Sequence, residues 1–230
     1  MPSFKSWLLA HRTKLRKGYI KSRLTRNNVS FISEDCWSGK AYQDLGLKCL
    51  SPFIGMGVRR AHYLSFLTHM REPGALDPLS ISSQERGYPI IQTRYADLMG
   101  MHYKSEQECM QRYERRRSLI DWDNLFIKID LGKPQFTRDD ITRWNEMKLP
   151  RSVAFYPDEP FFHSANIHNG VCVTDWIDDG DLLFQRSCRN FDIIKWLNHG
   201  VIKKSRLRSL IFYILYTGKA ASQNPLPRTP

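Results

Sequence analysis

Val29-Ser-Phe-Ile-Ser-Glu-Asp-Cys-Trp-Ser-Gly-Lys-Ala-Tyr-Gln-Asp-Leu-Gly-Leu47 is the stretch from which the fold is read. Val29, Phe31 and Ile32 give its start the β-branched and aromatic character of a strand. Ser33-Glu34-Asp35 breaks that run, Cys36 and Trp37 sit at the break, and residues 41–45 suit a helix. The order predicts strand, tight turn and helix start, with Cys36 aimed past the strand's carboxyl end. Open α/β sheets bind their ligands at that end. Amides at a helix start also favour a thiolate. The competing reading of Cys36 is a small buried hydrophobe at a turn.

Outward from this stretch, strands and helices alternate. Residues 48–55 read as extended chain and 58–70 as a helix ended by Glu72-Pro-Gly74. Residues 75–87 read as loop, 88–94 and 98–103 as strands, with His102 at the end of the second. Ser105-Glu-Gln-Glu108 is a capping box for a helix to Arg117, with acids at its start and bases at its end. Residues 124–130 alternate like a strand, and Thr137-Arg-Asp-Asp140 caps a helix with Ile141, Trp144 and Met147 on one stripe, stopped by Pro150. Strands follow at 152–156 and 170–174, and a helix at 191–199 ends on Gly200. This alternation predicts one α/β domain with a mostly parallel sheet over 29–200. It is flanked by basic amphipathic segments at 1–28 and 201–219, the second carrying Lys203 and Lys204, and by a disordered tail at 220–230.

The net charge is +12, and it is unevenly placed. Residues 1–28 hold eight basic residues and no acid, so the rest of the chain is close to balanced. Such a leader suits an anionic membrane surface. Nucleic acid is the other usual partner of a basic arm, but no segment resembles a nucleic-acid module and the aromatics do not form a stacking platform. Five cysteines without metal-ligand spacing suit a reducing cytoplasm. The longest apolar run, 210–216, is far short of the roughly 20 residues that span a bilayer. The expected location is therefore cytoplasmic, peripheral at the inner membrane face.

Three segments carry a resemblance: 30–39 with 42–47 and 51–55; His102-Tyr103 with Ser105-Glu106; and Arg115-Arg116-Arg117 with Ile120-Asp-Trp-Asp-Asn-Leu-Phe-Ile-Lys128. Together they resemble the bacterial domain of unknown function 1919, whose members are often labelled exopolysaccharide or capsule biosynthesis proteins. That family's turn reads Asn-Asn-Cys-Trp-Gly-Gly. Here Glu34 and Asp35 stand for the two Asn and Ser38 for one Gly. The resemblance implies a three-layer α/β/α sandwich and a role in cell-surface polysaccharide biosynthesis. A looser similarity is to capsule proteins with Gly-Asn-Cys-Gln after the first strand, proposed to be acetyltransferases using coenzyme A.

Two chemistries follow. In acyl transfer to a glycan or lipid-linked glycan, Cys36 is the nucleophile or a group shaping the oxyanion pocket, His102 the base and Asp35 the group that orients it. Trp37, Ser38 and Gly39 then line the site, and the Ser38 and Gly39 amides form the oxyanion hole. Arg115, Arg116 and Arg117 either grip a phosphate of a coenzyme A-type donor or form a solvated helix end. In glycosyl transfer, Asp121-Trp-Asp123 with Asn124 holds a metal and a sugar nucleotide. That motif precedes its strand, whereas ligand rims follow strands. Asp175, Asp178, Asp179 and Asp181 read as a solvated acidic loop, and His163 and His168, near Asp158 and Glu159, as weak metal candidates.

Overall fold

The computed structural model describes residues 4–134, 136–202 and 206–217. Its centre is a four-stranded, wholly parallel sheet of β1 (Ser30–Ser33), β6 (Leu125–Asp130), β7 (Ser152–Pro157) and β8 (Gly170–Val173), in that spatial order. All six residues of β6 are buried, as expected of a strand covered on both faces. Alternate residues serve opposite layers. Ile32, Ile127, Ile129 and Ala154 face one core, and Phe31, Phe126, Val153, Phe155, Val171 and Val173 face the other.

On the first face lie α3 (Arg60–His69), α5 (Arg138–Met147) and a second, antiparallel sheet. That sheet runs in the order β2 (Gly57–Val58), β5 (Asp97–Met99), β4 (Ile90–Gln92), β3 (Ser80–Ser82). On the second face lie α2 (Trp37–Leu45), α7 (Gly180–Ser187), α8 (Ile193–His199) and α9 (Arg206–Thr217). α1 (Phe4–Arg23) packs on α9, and α4 (Glu106–Arg117) leans on the antiparallel sheet. The expected α/β/α layering is thus present.

The strands expected at 88–94 and 98–103 correspond to β4 and β5, but these pair antiparallel with each other and with β3 and β2 in a separate sheet. β2 and β3, two and three residues long, are too short for a period-2 pattern to register. The run 98–103 breaks after Met99 into a turn, the loop 75–87 contains β3, and the extended reading of 48–55 gives way to turns at 52–55. α7 was hidden in the acidic loop. Asp179 is its N-cap, accepting the Leu182 N–H at 2.8 Å, and Asp181 lies in its first turn, where acids complement the helix dipole. Lys203, Lys204 and the tail from 220 lie outside the described residues.

Two close approaches join these parts at the end of β1. The Val58 N–H donates to the Glu34 carbonyl at 3.0 Å, tying the antiparallel sheet to the parallel one. Gly180, at the start of α7, sits directly over the Cys36 turn. A Cβ there would lie 2.7 Å from the Trp37 nitrogen and 2.9 Å from the Cys36 nitrogen. Those neighbours are backbone and cannot swing aside. Gly180→Ala is therefore expected to lower unfolding stability by about 1–3 kcal/mol in urea titration, through overpacking alone. A change below about 0.5 kcal/mol would show that α7 and the turn are not in close contact.

Candidate active site

Cys36 is the N-cap of α2, half-buried, just beyond the carboxyl end of β1. Its Sγ lies 3.0 Å from Nε2 of His102, which is exposed. The two residues come from different sheets. His102 does not end a strand of the parallel sheet, as the expected shared rim required. It stands in the turn that follows β5 of the antiparallel sheet.

That turn is tightly fixed. Gly100 donates to the Pro89 carbonyl at 2.7 Å, and Tyr103 donates back to the Gly100 carbonyl at 3.0 Å. A Cβ at Gly100 would meet Cys109 Sγ at 2.8 Å and the Pro89 oxygen at 3.0 Å, so only glycine fits. Tyr103, next to the histidine, donates its hydroxyl to the Ile54 carbonyl at 2.7 Å. The Arg116 guanidinium donates to that hydroxyl and to the same carbonyl, each at 2.9 Å. Arg116 is buried, and it pins the His102 turn.

Beneath Cys36 lies a buried network of ions. Asp35 Oδ1 accepts the Trp37 N–H at 3.0 Å, which locks the first turn of α2. Asp35 Oδ2 accepts from Lys128 at 2.7 Å and Lys133 at 2.6 Å. Glu34 Oε1 accepts from Lys128 at 3.1 Å and from the Asp130 N–H at 2.7 Å. Asp130 Oδ1 accepts from Trp176 at 2.7 Å, and Lys133 reaches the partly exposed Asp178 at 3.7 Å, itself paired with Arg60. The Glu34, Asp35 and Asp130 carboxylates lie within 4.8 Å of one another, close enough to share a cation. The two ammonium groups supply the positive charge there instead.

This environment sets the protonation states. Burial pushes the Asp35 carboxyl up, but Lys128 and Lys133 more than reverse it and hold it well below the usual range. Asp130 is pushed up to about 7, chiefly by burial, with Glu34 and Asp35 adding to it against the lysines. Burial, then Asp35, Asp181 and Asp179, push the Cys36 thiol up to about 11. The expected thiolate is therefore corrected. Burial first, and the three carboxylates after it, oppose the thiolate that the helix-start amides favour, so the thiol form prevails at pH 7.

The other expected site residues separate. Asp35 does not orient His102, because both its oxygens are taken by Trp37 and the two lysines. Trp37 is wholly buried against Phe31, Phe155 and Phe184, so it is core and not a substrate contact. The Ser38 N–H points to Ser33 Oγ at 3.4 Å, which leaves Gly39 as the first-turn amide with no acceptor among the described residues. The arginines form no common grip: Arg117 pairs with Glu114 and Asp77, Arg116 is committed as above, and Arg115 is exposed.

Asp121 caps the 3-10 turn Trp122–Asn124, accepting from the Asp123 and Asn124 amides. The Asn124 side chain accepts from Arg26 at 2.6 Å. All three lie at the amino end of β6, across the sheet from Cys36, so they cannot share its site. His163 bonds Asp158 at 2.7 Å near Cys172, their donor atoms within 4.8 Å of one another, whereas His168 bonds Asn169.

Lys128, Asp130 and Lys133 were missed. Lys128 occupies an apparent outward position in an alternating strand, and nothing local in the sequence shows that both faces are covered. The only available signal was Glu34-Asp35 itself, two acids at a buried strand end that require cations from elsewhere.

The family described as "Domain of unknown function (DUF1919)" matches residues 10–198. An uncharacterized protein of Haemophilus influenzae (strain ATCC 51907 / DSM 11121 / KW20 / Rd) is 27% identical over 188 residues, covering 78% of this chain and 89% of that protein.

The raised thiol pKa gives a direct test. Alkylation of Cys36 by iodoacetamide, followed by mass spectrometry, is expected to keep rising about tenfold per pH unit beyond pH 9. Asp181→Asn removes a repelling charge and is expected to move that rise to lower pH. A rate that levels off below pH 8 would contradict the assignment.

Proposed function

The chain belongs to the DUF1919 family, and we propose that Cys36 and His102 carry acyl transfer onto a cell-surface glycan. The observation that supports the chemistry is the 3.0 Å contact between Sγ and Nε2 at a half-exposed sheet end. The glycan acceptor rests on the resemblance drawn from the sequence.

A neutral thiol needs a base at the moment of attack. Cys36 Sγ forms a bond to the donor's acyl carbon while its proton passes to His102 Nε2. The tetrahedral oxyanion is met by the Gly39 amide at the start of α2. On collapse, the leaving group departs with the proton from His102, leaving a thioester on Cys36. The glycan hydroxyl then gives its proton to His102 and attacks that thioester. The oxygen–acyl bond forms, the carbon–sulfur bond breaks, and the proton returns to Cys36. A coenzyme A-type thioester suits as donor, since its leaving thiol needs the one proton that His102 carries. Arg116 acts at a distance, holding the turn that presents the histidine. Free cysteines throughout suit a reducing cytoplasm, where this reading places the reaction.

Cys36→Ala and His102→Ala in a producing strain are expected to abolish glycan acylation at unchanged protein level. In vitro, His102→Gln is expected to slow formation of the Cys36-linked acyl adduct by about 10²–10⁴-fold, read by intact mass. An unaltered glycan in both strains would exclude the reading.

A further inference from the structure

We propose that the outer faces of α1 and α9 together form a docking surface for an anionic lipid bilayer. The inference is independent of the Cys36 chemistry. The two helices lie antiparallel, with Arg12 bonding the Thr217 carbonyl, Arg16 over the Tyr216 ring and Tyr19 against Phe212.

Arg12 and Arg16 of α1 turn inward as above, Arg16 also lying 3.5 Å from Asp44, whereas Arg23 is exposed and lies over the Tyr19 ring of its own helix. Lys14, Lys17 and Lys21 are exposed at helical spacings of three and four, with no acidic partner among the described residues. No acid occurs in residues 1–28 to offset them.

α9 supplies the apolar half. Ser209, Phe212 and Tyr216 are buried against the body. Leu207, Ile211 and Ile214 recur at spacings of four and three on the opposite side, 70%, 38% and 39% exposed. A surface helix normally keeps one apolar face, and this one has two. Leu15 and Trp7 of α1 are also exposed, at 51% and 55%. An apolar stripe beside a lysine stripe fits the boundary between headgroups and acyl chains, where the stripe inserts and the ammonium groups meet lipid phosphates. A nucleic acid would use the lysines and leave the leucine and isoleucines in water. A second copy of this chain would bring the lysines together.

The test is cosedimentation of the full chain with vesicles of phosphatidylcholine alone and with about one third phosphatidylglycerol. Strong binding to the anionic vesicles only, weakened by salt, is expected. Replacing Lys14, Lys17 and Lys21 with Glu is expected to lower partitioning on the order of 100-fold. Replacing Leu207, Ile211 and Ile214 with Gln is expected to weaken it at least tenfold. Both variants should keep the wild-type circular dichroism spectrum and melting temperature. A variant that melts early is replaced by single changes, Leu207→Gln and Lys17→Glu, each expected to weaken binding measurably. Equal binding to both vesicle types, loss of binding in neither variant, release by RNA at physiological salt, or a concentration-dependent dimer abolished by the Gln variant would each overturn the proposal.

Discussion

Charge neutralisation inside the protein, beneath a single turn, is the constraint on which this structure depends. Glu34 and Asp35 end β1 in the interior, where an unpaired carboxylate costs several kcal/mol. Lys128 and Lys133 meet them from β6 and the turn beyond it. The parallel pairing of β1 with β6 brings Ser33 opposite Lys128, so the ion network and the sheet register enforce one another. Such a network adds little net stability over a well-packed apolar core, but removing one member leaves its partners stranded.

The same network shapes the site above it. By holding the Trp37 amide, Asp35 fixes where α2 begins and so where Cys36 points. By remaining charged, it helps keep the thiol neutral. The histidine arrives by an unrelated route, on the turn that follows β5 of the antiparallel sheet, held by Gly100, Tyr103 and Arg116 of α4. The dyad is thus assembled from two layers, joined at the Glu34 carbonyl.

Much of this was legible in the sequence. Strand, turn and helix start around Cys36 follow from local residue types, and the Ser105 and Thr137 caps were readable because caps are short-range devices. The meeting of Cys36 with His102 was anticipated, but on the premise of a shared parallel rim. The geometry reached the same contact through the strand read at 98–103, which pairs antiparallel in a second sheet rather than joining the parallel one. Asp35, Trp37 and Arg116 were misjudged because their partners lie far away in sequence: about ninety residues separate Asp35 from Lys128, and sixty separate Arg116 from Ile54. Long-range pairing decides whether a polar side chain faces substrate or scaffold, and periodicity carries none of that information.

A double-mutant cycle on Lys128→Met and Glu34→Gln, read as unfolding free energy in urea, tests the central claim most directly. If the ions hold the turn as a unit, Lys128→Met alone costs about 3–5 kcal/mol and the double variant recovers a large part of that loss. Strictly additive effects, or a Lys128→Met loss below about 1 kcal/mol, would show that the buried ions are bystanders and that something else sets the Cys36 turn.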